Sequence, residues 1–171
     1  LSTFIVKLAS KIGQKELSII GCFISAASFI LLFIIHTHNV WVWVGLIIVA
    51  TIGTSMFNMV IWAMITDVID ESEVQTGVRQ DGTIYSVYSF ARKLGQACSS
   101  GLSGVLLSII GYTSVTAFDP KVVDGIYNIT CLVPAGGMIL LLLALWFLYP
   151  LNKKRVEENA EKLRIKRNEN A

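Results

Sequence analysis

Asp67-Val-Ile-Asp70-Glu71-Ser-Glu73-Val-Gln-Thr76-Gly77-Val-Arg79-Gln-Asp81-Gly82-Thr-Ile-Tyr85-Ser86-Val-Tyr88-Ser89-Phe90-Ala-Arg92-Lys93-Leu94-Gly95 interrupts an otherwise apolar chain. It opens as a dense charged segment and ends by carrying Arg92 and Lys93 into residues 84–110, 27 residues with no other charge. Three more runs have a similar character: 17–35 has 19 residues without a charge, 41–65 has 25 and 126–149 has 24. A membrane-crossing helix needs about 20 predominantly apolar residues at a rise of about 1.5 Å each. An ionisable residue inside hydrocarbon is costly, so Arg92 and Lys93 point to function.

The rest of the chain agrees. Its 171 residues are 54% hydrophobic and 15% charged, with a mean hydropathy of +0.64, far more apolar than a soluble domain of this size. Four long apolar runs joined by short segments do not suit a soluble core. Residues 1–16 carry three lysines and lack the short apolar core and small-residue cleavage site of a signal peptide. The expected fold is an all-α membrane protein with four transmembrane helices at about 17–35, 41–65, 84–110 and 126–149. Residues 66–83 are expected as a loop, and 152–171 as a tail, either a short amphiphilic helix or a disordered end. Leu1 opens an apolar stretch without methionine, so residues 1–16 read as the end of a preceding helix and a basic turn. The chain is expected to be the C-terminal piece of a longer membrane protein.

Four spans put both ends on one side, and basic residues say which. Lys7, Lys11, Lys15, Arg79, Lys153, Lys154, Arg155, Lys162, Arg164, Lys166 and Arg167 fall with the termini and the acidic segment, against Lys121 alone on the other side. The termini, the acidic segment and the tail are therefore expected in the cytoplasm, with the protein multi-pass in the plasma (inner) membrane. The net charge of +2 follows the membrane face and gives no reason to expect nucleic acid. Cys22, Cys98 and Cys131 fall in separate spans without paired spacing, and read as buried small hydrophobes. His36 and His38 flank an external turn and read as solvated. No metal site is expected.

Residues 84–110 hold the chemistry. At steps of three and four, Tyr85, Ser89, Arg92 or Lys93, Gln96, Ser100 and Ser103 share one side of a helix. Such a stripe faces a bundle interior or a wet cavity. Lys93 lies nine residues beyond Ile84, roughly 13 Å along the axis towards the bilayer middle. For Arg92, snorkelling to the surface and a cavity position are both open. Ala97 to Gly101 and Ser99 to Ser103 are small-residue pairs that let helices approach, and Pro134 with Gly136 and Gly137 predicts a bend. Asn58 and Trp62, four apart, share a face. An indole beside an amide suits a sugar ring, which offers an apolar face to stack on and hydroxyls at its edge. An interfacial role for Trp62, like that of Trp41 and Trp43, is the alternative.

The spaced residues Asp67, Asp70, Glu73, Thr76, Gly77, Arg79, Asp81, Gly82, Tyr85, Ser86, Ser89, Phe90, Lys93, Leu94 and Gly95 resemble the loop 10–11 and helix 11 signature of the glycoside–pentoside–hexuronide:cation symporters, within the major facilitator superfamily. Lys11-Ile-Gly13-Gln14-Lys15 resembles the basic turn between helices 8 and 9 of that superfamily. The resemblance implies helices 9 to 12 of a twelve-helix carrier that is not an enzyme. It moves a sugar or glycoside with sodium or a proton by alternating access, and needs no cofactor beyond the coupling cation. Its implied partners are the bilayer, the N-terminal half of the same transporter and the sugar. By resemblance Lys93 sits near the coupling cation, where its ammonium would balance carboxylates of the other half. Ser89 lies close to the sugar, and Asn58 falls where melibiose carriers have a sugar-site tryptophan, a departure that Trp62 would offset one turn away. Tyr85 and Gln96 complete the expected cavity. Asp67, Asp70, Glu73 and Arg79 match a cytoplasmic charge network that closes the gate, while Glu71, Gln75 and Asp81 depart from it, and Glu71 reads as a solvated loop residue. Two other functions fit the same scaffold: a sodium-coupled lysophospholipid carrier, whose headgroup phosphate would pair with Arg92 or Lys93, and a non-transporting membrane sensor.

Overall fold

The computed structural model describes Ile5, Leu8, Ala9 and residues 11–37 and 39–169. Leu1, Lys7 and His38, invoked above, lie outside the described residues. Five helices account for nearly all of the rest: α1 (Gln14–Ile35), α2 (Val40–Thr76), α3 (Asp81–Ile109), α4 (Pro120–Phe147) and α5 (Lys153–Glu169). Among the described residues there is no strand.

Local chemistry sets the helix ends. Asn39 caps α2 by accepting the Trp41 N–H on its side chain. Gly77 closes it in the left-handed region at φ +77°, donating its N–H to the Glu73 carbonyl at 2.9 Å; glycine tolerates that conformation without a Cβ clash. Pro120 occupies the first turn of α4, where its missing N–H costs nothing. That helix continues through Pro134 to Phe147.

Segment 66–83, expected as a loop, is helical to Thr76 and again from Asp81, leaving 77–80 as the connection. At 37 residues α2 is about 55 Å long, well beyond the roughly 30 Å of bilayer hydrocarbon. Its apolar part, 41–65, fills that thickness and its charged turns, 66–76, project past it. The tail also takes the ordered alternative, as α5. Helices α1, α2 and α4 are each long and apolar enough to cross a membrane. The 29-residue α3 is long enough, but its polar stripe keeps it out of that group. Its path supplies what its composition does not. It runs back antiparallel to α2, so that Trp62 meets Tyr85 and Tyr88. It then ends beside α4, where a Cβ on Gly125 would lie 2.9 Å from Ile110. The neighbouring Asp124 pairs with His36 at the end of α1. The helix thus traverses the same slab as its neighbours.

Helix α1 is the centre, packed between α2 and α4. Where it crosses α2 the backbones nearly touch: a Cβ on Gly21 would lie 2.7 Å from the Gly53 carbonyl oxygen. Hydroxyls reinforce this seam, with Ser25 and Thr54 oxygens 3.0 Å apart and Ser18 donating to the Met64 sulfur at 3.4 Å. Since lipid tails are as apolar as leucine, close packing and interhelical hydrogen bonds hold such helices together rather than hydrophobic exclusion. The Tyr127 hydroxyl ties α4 to α1 through the Leu32 carbonyl at 2.8 Å. At the other end Lys15 donates to the Tyr149 carbonyl at 2.5 Å, and the Tyr149 hydroxyl to that of Met64 at 3.3 Å. Leu17, Cys22, Val60, Met64 and Leu145 form the apolar core.

Two expectations change. Cys22 and Cys131 are buried as expected, but Cys98 is exposed on α3, a helix with no buried residue at all. His36 is not a merely solvated turn residue. Its ring lies 4.5 Å from that of Tyr127, and its Nε2 is 3.6 Å from Asp124. A left-handed φ of 43° at the α1 C-cap turns the chain there.

Candidate functional site: an aromatic cavity and a charged end

Between α2 and α3 lies an open cavity of about 530 Å³, lined by Phe57, Asn58, Ile61, Trp62, Tyr88, Ala91 and Arg92. Each lining residue follows from helical spacing. Asn58 and Trp62 are one turn apart on α2, and Tyr88 and Arg92 one turn apart on α3. The indole of Trp62 meets the Tyr88 ring edge-on at 5.6 Å and the Tyr85 ring at 6.4 Å. Asn58 donates its side-chain N–H to the Thr54 carbonyl at 3.1 Å, and its amide oxygen has no hydrogen bond among the described residues. The result is an aromatic wall with an acceptor on one side and a guanidinium on the other.

This arrangement brings Asn58 and Trp62 into one lining, leaves Tyr85 beside Trp62 but outside it, and adds Phe57 and Tyr88, which the sequence reading passed over. It also separates the two cations. Adjacent residues on a helix point about 100° apart. Arg92 therefore shares the α2-facing flank with Tyr88, while Lys93, Ser89 and Gln96 stay outside the cavity lining and are exposed. The clue available from sequence was the i, i+4 spacing of Tyr88 and Arg92. Neither Arg92 nor Lys93 has an ion pair among the described residues. A second, almost wholly apolar groove of about 440 Å³ adjoins the cavity and shares Phe57, Ile61 and Tyr88 with it, then continues past Met64, Val68 and Leu141.

The other site is the charged end of α2. Arg79 joins three carboxylates: Nη1 donates to Asp70 and Glu73, each at 2.9 Å, and Nε to Asp81 at 2.9 Å. Those hydrogen bonds raise the arginine further above its ordinary range. Asp70, Glu73 and Arg79 thus come together as expected, but Asp67 does not join them. One of its buried oxygens has no hydrogen-bond partner, and it lines a separate small cavity with Gly13, Gln14, Lys153 and Glu157.

Glu71, expected to be a solvated bystander, anchors the tail. Its side chain, 13% exposed, pairs with Arg155 and accepts from Asn159 and Gln75, each at 2.5 Å. These contacts, led by the Arg155 hydrogen bond, hold its carboxyl below the ordinary range. Arg167 reaches Glu73 at 3.4 Å, and Lys166 donates to the Gly77 carbonyl at 3.4 Å. Lys153 donates to the Lys11 carbonyl at 2.9 Å. Helix α5 therefore crosses beneath the ends of α1 and α2.

Comparison with known proteins agrees with this architecture. Residues 1–153 match the family described as MFS/sugar transport protein. The chain is similar to a "glucuronide carrier protein homolog" of Escherichia coli, 33% identical over 151 residues, covering 88% of this chain and 33% of the relative. It is 36% identical over 152 residues to an "uncharacterized symporter" of Bacillus subtilis, covering 89% of this chain and 33% of the relative. It is 30% identical over 156 residues to a "putative sulfoquinovose importer" of Escherichia coli, covering 91% and 33%. The chain spans about a third of the length of these relatives. With three helices long and apolar enough to cross a membrane and a close-packed glycine crossing between two of them, the chain is an integral, multi-pass membrane protein and belongs to the MFS/sugar transport protein family.

Proposed function

We propose that the chain is the C-terminal part of a symporter that moves a sugar or glycoside together with sodium or a proton by alternating access. The observation that carries this reading is the cavity of Asn58, Trp62 and Tyr88 between α2 and α3. An aromatic wall beside hydrogen-bonding groups complements a sugar ring. Relatives named for glucuronide and sulfoquinovose support a sugar as cargo. The preceding N-terminal half would close the open side of the cavity and supply the carboxylates of the cation site. Lys93, on the exposed flank of α3, would face that half near the cation. The charged end of α2 would lie in the cytoplasm and take part in closing the gate.

Sealed vesicles containing the full-length transporter test the reading. Labelled glycoside should accumulate when a sodium or proton gradient is imposed and equilibrate when it is collapsed. Uptake indifferent to both gradients would remove the coupling. The apolar groove adjoining the cavity favours a second reading, a lysophospholipid carrier with its acyl chain in that groove. Lysophospholipid uptake without sugar uptake would establish it in place of the first.

A further inference from the structure

Asp67 is a carboxylate that neither the aromatic cavity nor the Arg79 hub uses. It stands in the charged turns of α2, just past the apolar run 41–65. Its Oδ2 is fully covered and has no hydrogen-bond partner. Two more covered side-chain oxygens share that condition, Oε1 of Gln14 and Oε2 of Glu16 at the start of α1. Asp67 and Gln14 line one cavity of about 140 Å³ with Gly13, Lys153 and Glu157, and Glu16 Oε2 folds back against Gly13. All three orphans are acceptors. The donors around them are committed elsewhere: Lys153 to the Lys11 carbonyl at 2.9 Å, Lys15 to the Tyr149 carbonyl at 2.5 Å and the Tyr149 hydroxyl to the Met64 carbonyl at 3.3 Å. A covered acceptor left without a donor is costly, and the junction of α1, α2 and α5 holds three.

We propose that Asp67 is a proton-operated clasp: in its protonated form the carboxyl donates to Oε1 of Gln14 and fastens the charged turns of α2 to the start of α1. A single proton turns one of two facing acceptors into a donor, and no other group need move far. The surroundings favour the neutral form. Burial first, and then the carboxylate of Asp70 on the same helix, push the Asp67 pKa up from 3.8 to about 6. Glu16 on α1 and Glu157 on α5 face the same junction, while its cations, Lys15 and Lys153, are held by backbone carbonyls. The sign of the effect follows. Above about pH 6 the covered carboxylate is ionised and weakens the fold; that penalty falls away as the pH drops through 6 towards 3.8. The junction is thus loose in mild alkali and fastened in mild acid. It lies apart from the aromatic cavity, so the clasp depends neither on the cargo nor on the coupling cation.

The test uses the full-length transporter in detergent, titrated between about pH 7.5 and about pH 5 while its infrared spectrum is followed. The carbonyl band of a protonated carboxyl should grow in with a midpoint of about 6, and Asp67→Asn should remove it. Gln14→Leu should keep the band but move it to higher frequency, as an acid hydroxyl does on losing its acceptor. Relative to Asp67→Asn, the wild type should gain about 1–3 °C in melting temperature between the two pH values. A midpoint at the ordinary carboxylate value, or a band that survives Asp67→Asn, overturns the proton site. A band that stays in place in Gln14→Leu overturns the clasp, and so does melting with the same pH response in Asp67→Asn and wild type. Should Asp67→Asn fail to fold, the wild-type midpoint and the Gln14→Leu band still decide.

Discussion

Gly21 and Gly53 meet backbone to backbone where α1 crosses α2. A Cβ on Gly53 would lie 2.5 Å from the Gly21 carbonyl oxygen and 2.9 Å from the Ser25 nitrogen. The obstacle is main chain on both sides, so no rotamer change relieves it. Gly53→Ala must push two helices apart, breaking the 3.0 Å contact between Ser25 and Thr54. A cost of about 1–3 kcal/mol follows from overpacking of this kind. In detergent, the full-length protein should unfold at a lower temperature by several degrees. Gly45→Ala, with open space around the added carbon, should leave it within about 0.5 kcal/mol. Equal melting of both variants would mean that the crossing is looser than it is here.

The docking of α5 depends on one carboxylate. Glu71 alone collects Arg155, Asn159 and Gln75. Its folded pKa lies below its unfolded value of 4.5, so the contact is fully present above pH 4.5 and is lost as the pH falls through the lower folded value. Amide exchange in 153–169, measured relative to the intrinsic rate at each pH, should be slow at neutral pH and become relatively faster in acid. Glu71→Gln should raise that exchange at neutral pH by about tenfold and flatten its acid dependence. An unchanged profile would mean that Lys153 and Arg167 hold the helix without Glu71.

Arg79 and Asp67 are expected to part company. Arg79→Gln leaves Asp70, Glu73 and Asp81 facing one another without their shared cation, which should loosen the 77–80 connection. If this hub takes part in gating, a cysteine reagent applied from the charged side should label cavity positions several-fold differently in that variant. Asp70→Asn should move labelling in the same direction and by less. Asp67→Asn lies outside the hub and should not reproduce the effect. Unchanged accessibility in Arg79→Gln would reduce the cluster to a solvated local brace.

The parts of the fold that depend on length and polarity were legible in the sequence. The runs at 17–35, 41–65, 84–110 and 126–149 all became helices because an uncharged run of that length has few other options. The limits of α2 were harder. Asp67, Asp70, Glu71 and Glu73 look like a loop by polarity, yet none of them breaks a helix. Gly77 was the true stop signal. Glu71 and the tail misled for the same reason: their partners are more than eighty residues apart in sequence, and nothing local reveals that they meet. The cavity was half legible. Helical spacing put Asn58 with Trp62, and Tyr85 with Arg92. Which of Arg92 and Lys93 turns towards α2 is a matter of how α3 is rotated, and the sequence pattern leaves that rotation within about one residue step.

That rotation makes Lys93 the sharpest test of coupling. It stands on the exposed flank of α3, away from the aromatic cavity, with no ion pair among the described residues. If it balances carboxylates of the N-terminal half near the cation, its charge belongs to coupling rather than to sugar contact. Lys93→Ala in the full-length transporter should then abolish accumulation driven by a sodium or proton gradient. Exchange of labelled for unlabelled glycoside, and binding itself, should persist to within about tenfold, because Asn58, Trp62, Tyr88 and Arg92 are untouched. Trp62→Ala should show the opposite split, with binding lost in step with uptake while whatever is transported still follows the gradient. Wild-type accumulation in Lys93→Ala would detach the lysine from coupling. Loss of exchange and binding together with accumulation would place it at the sugar instead, and so argue for a different rotation of α3 in the complete carrier.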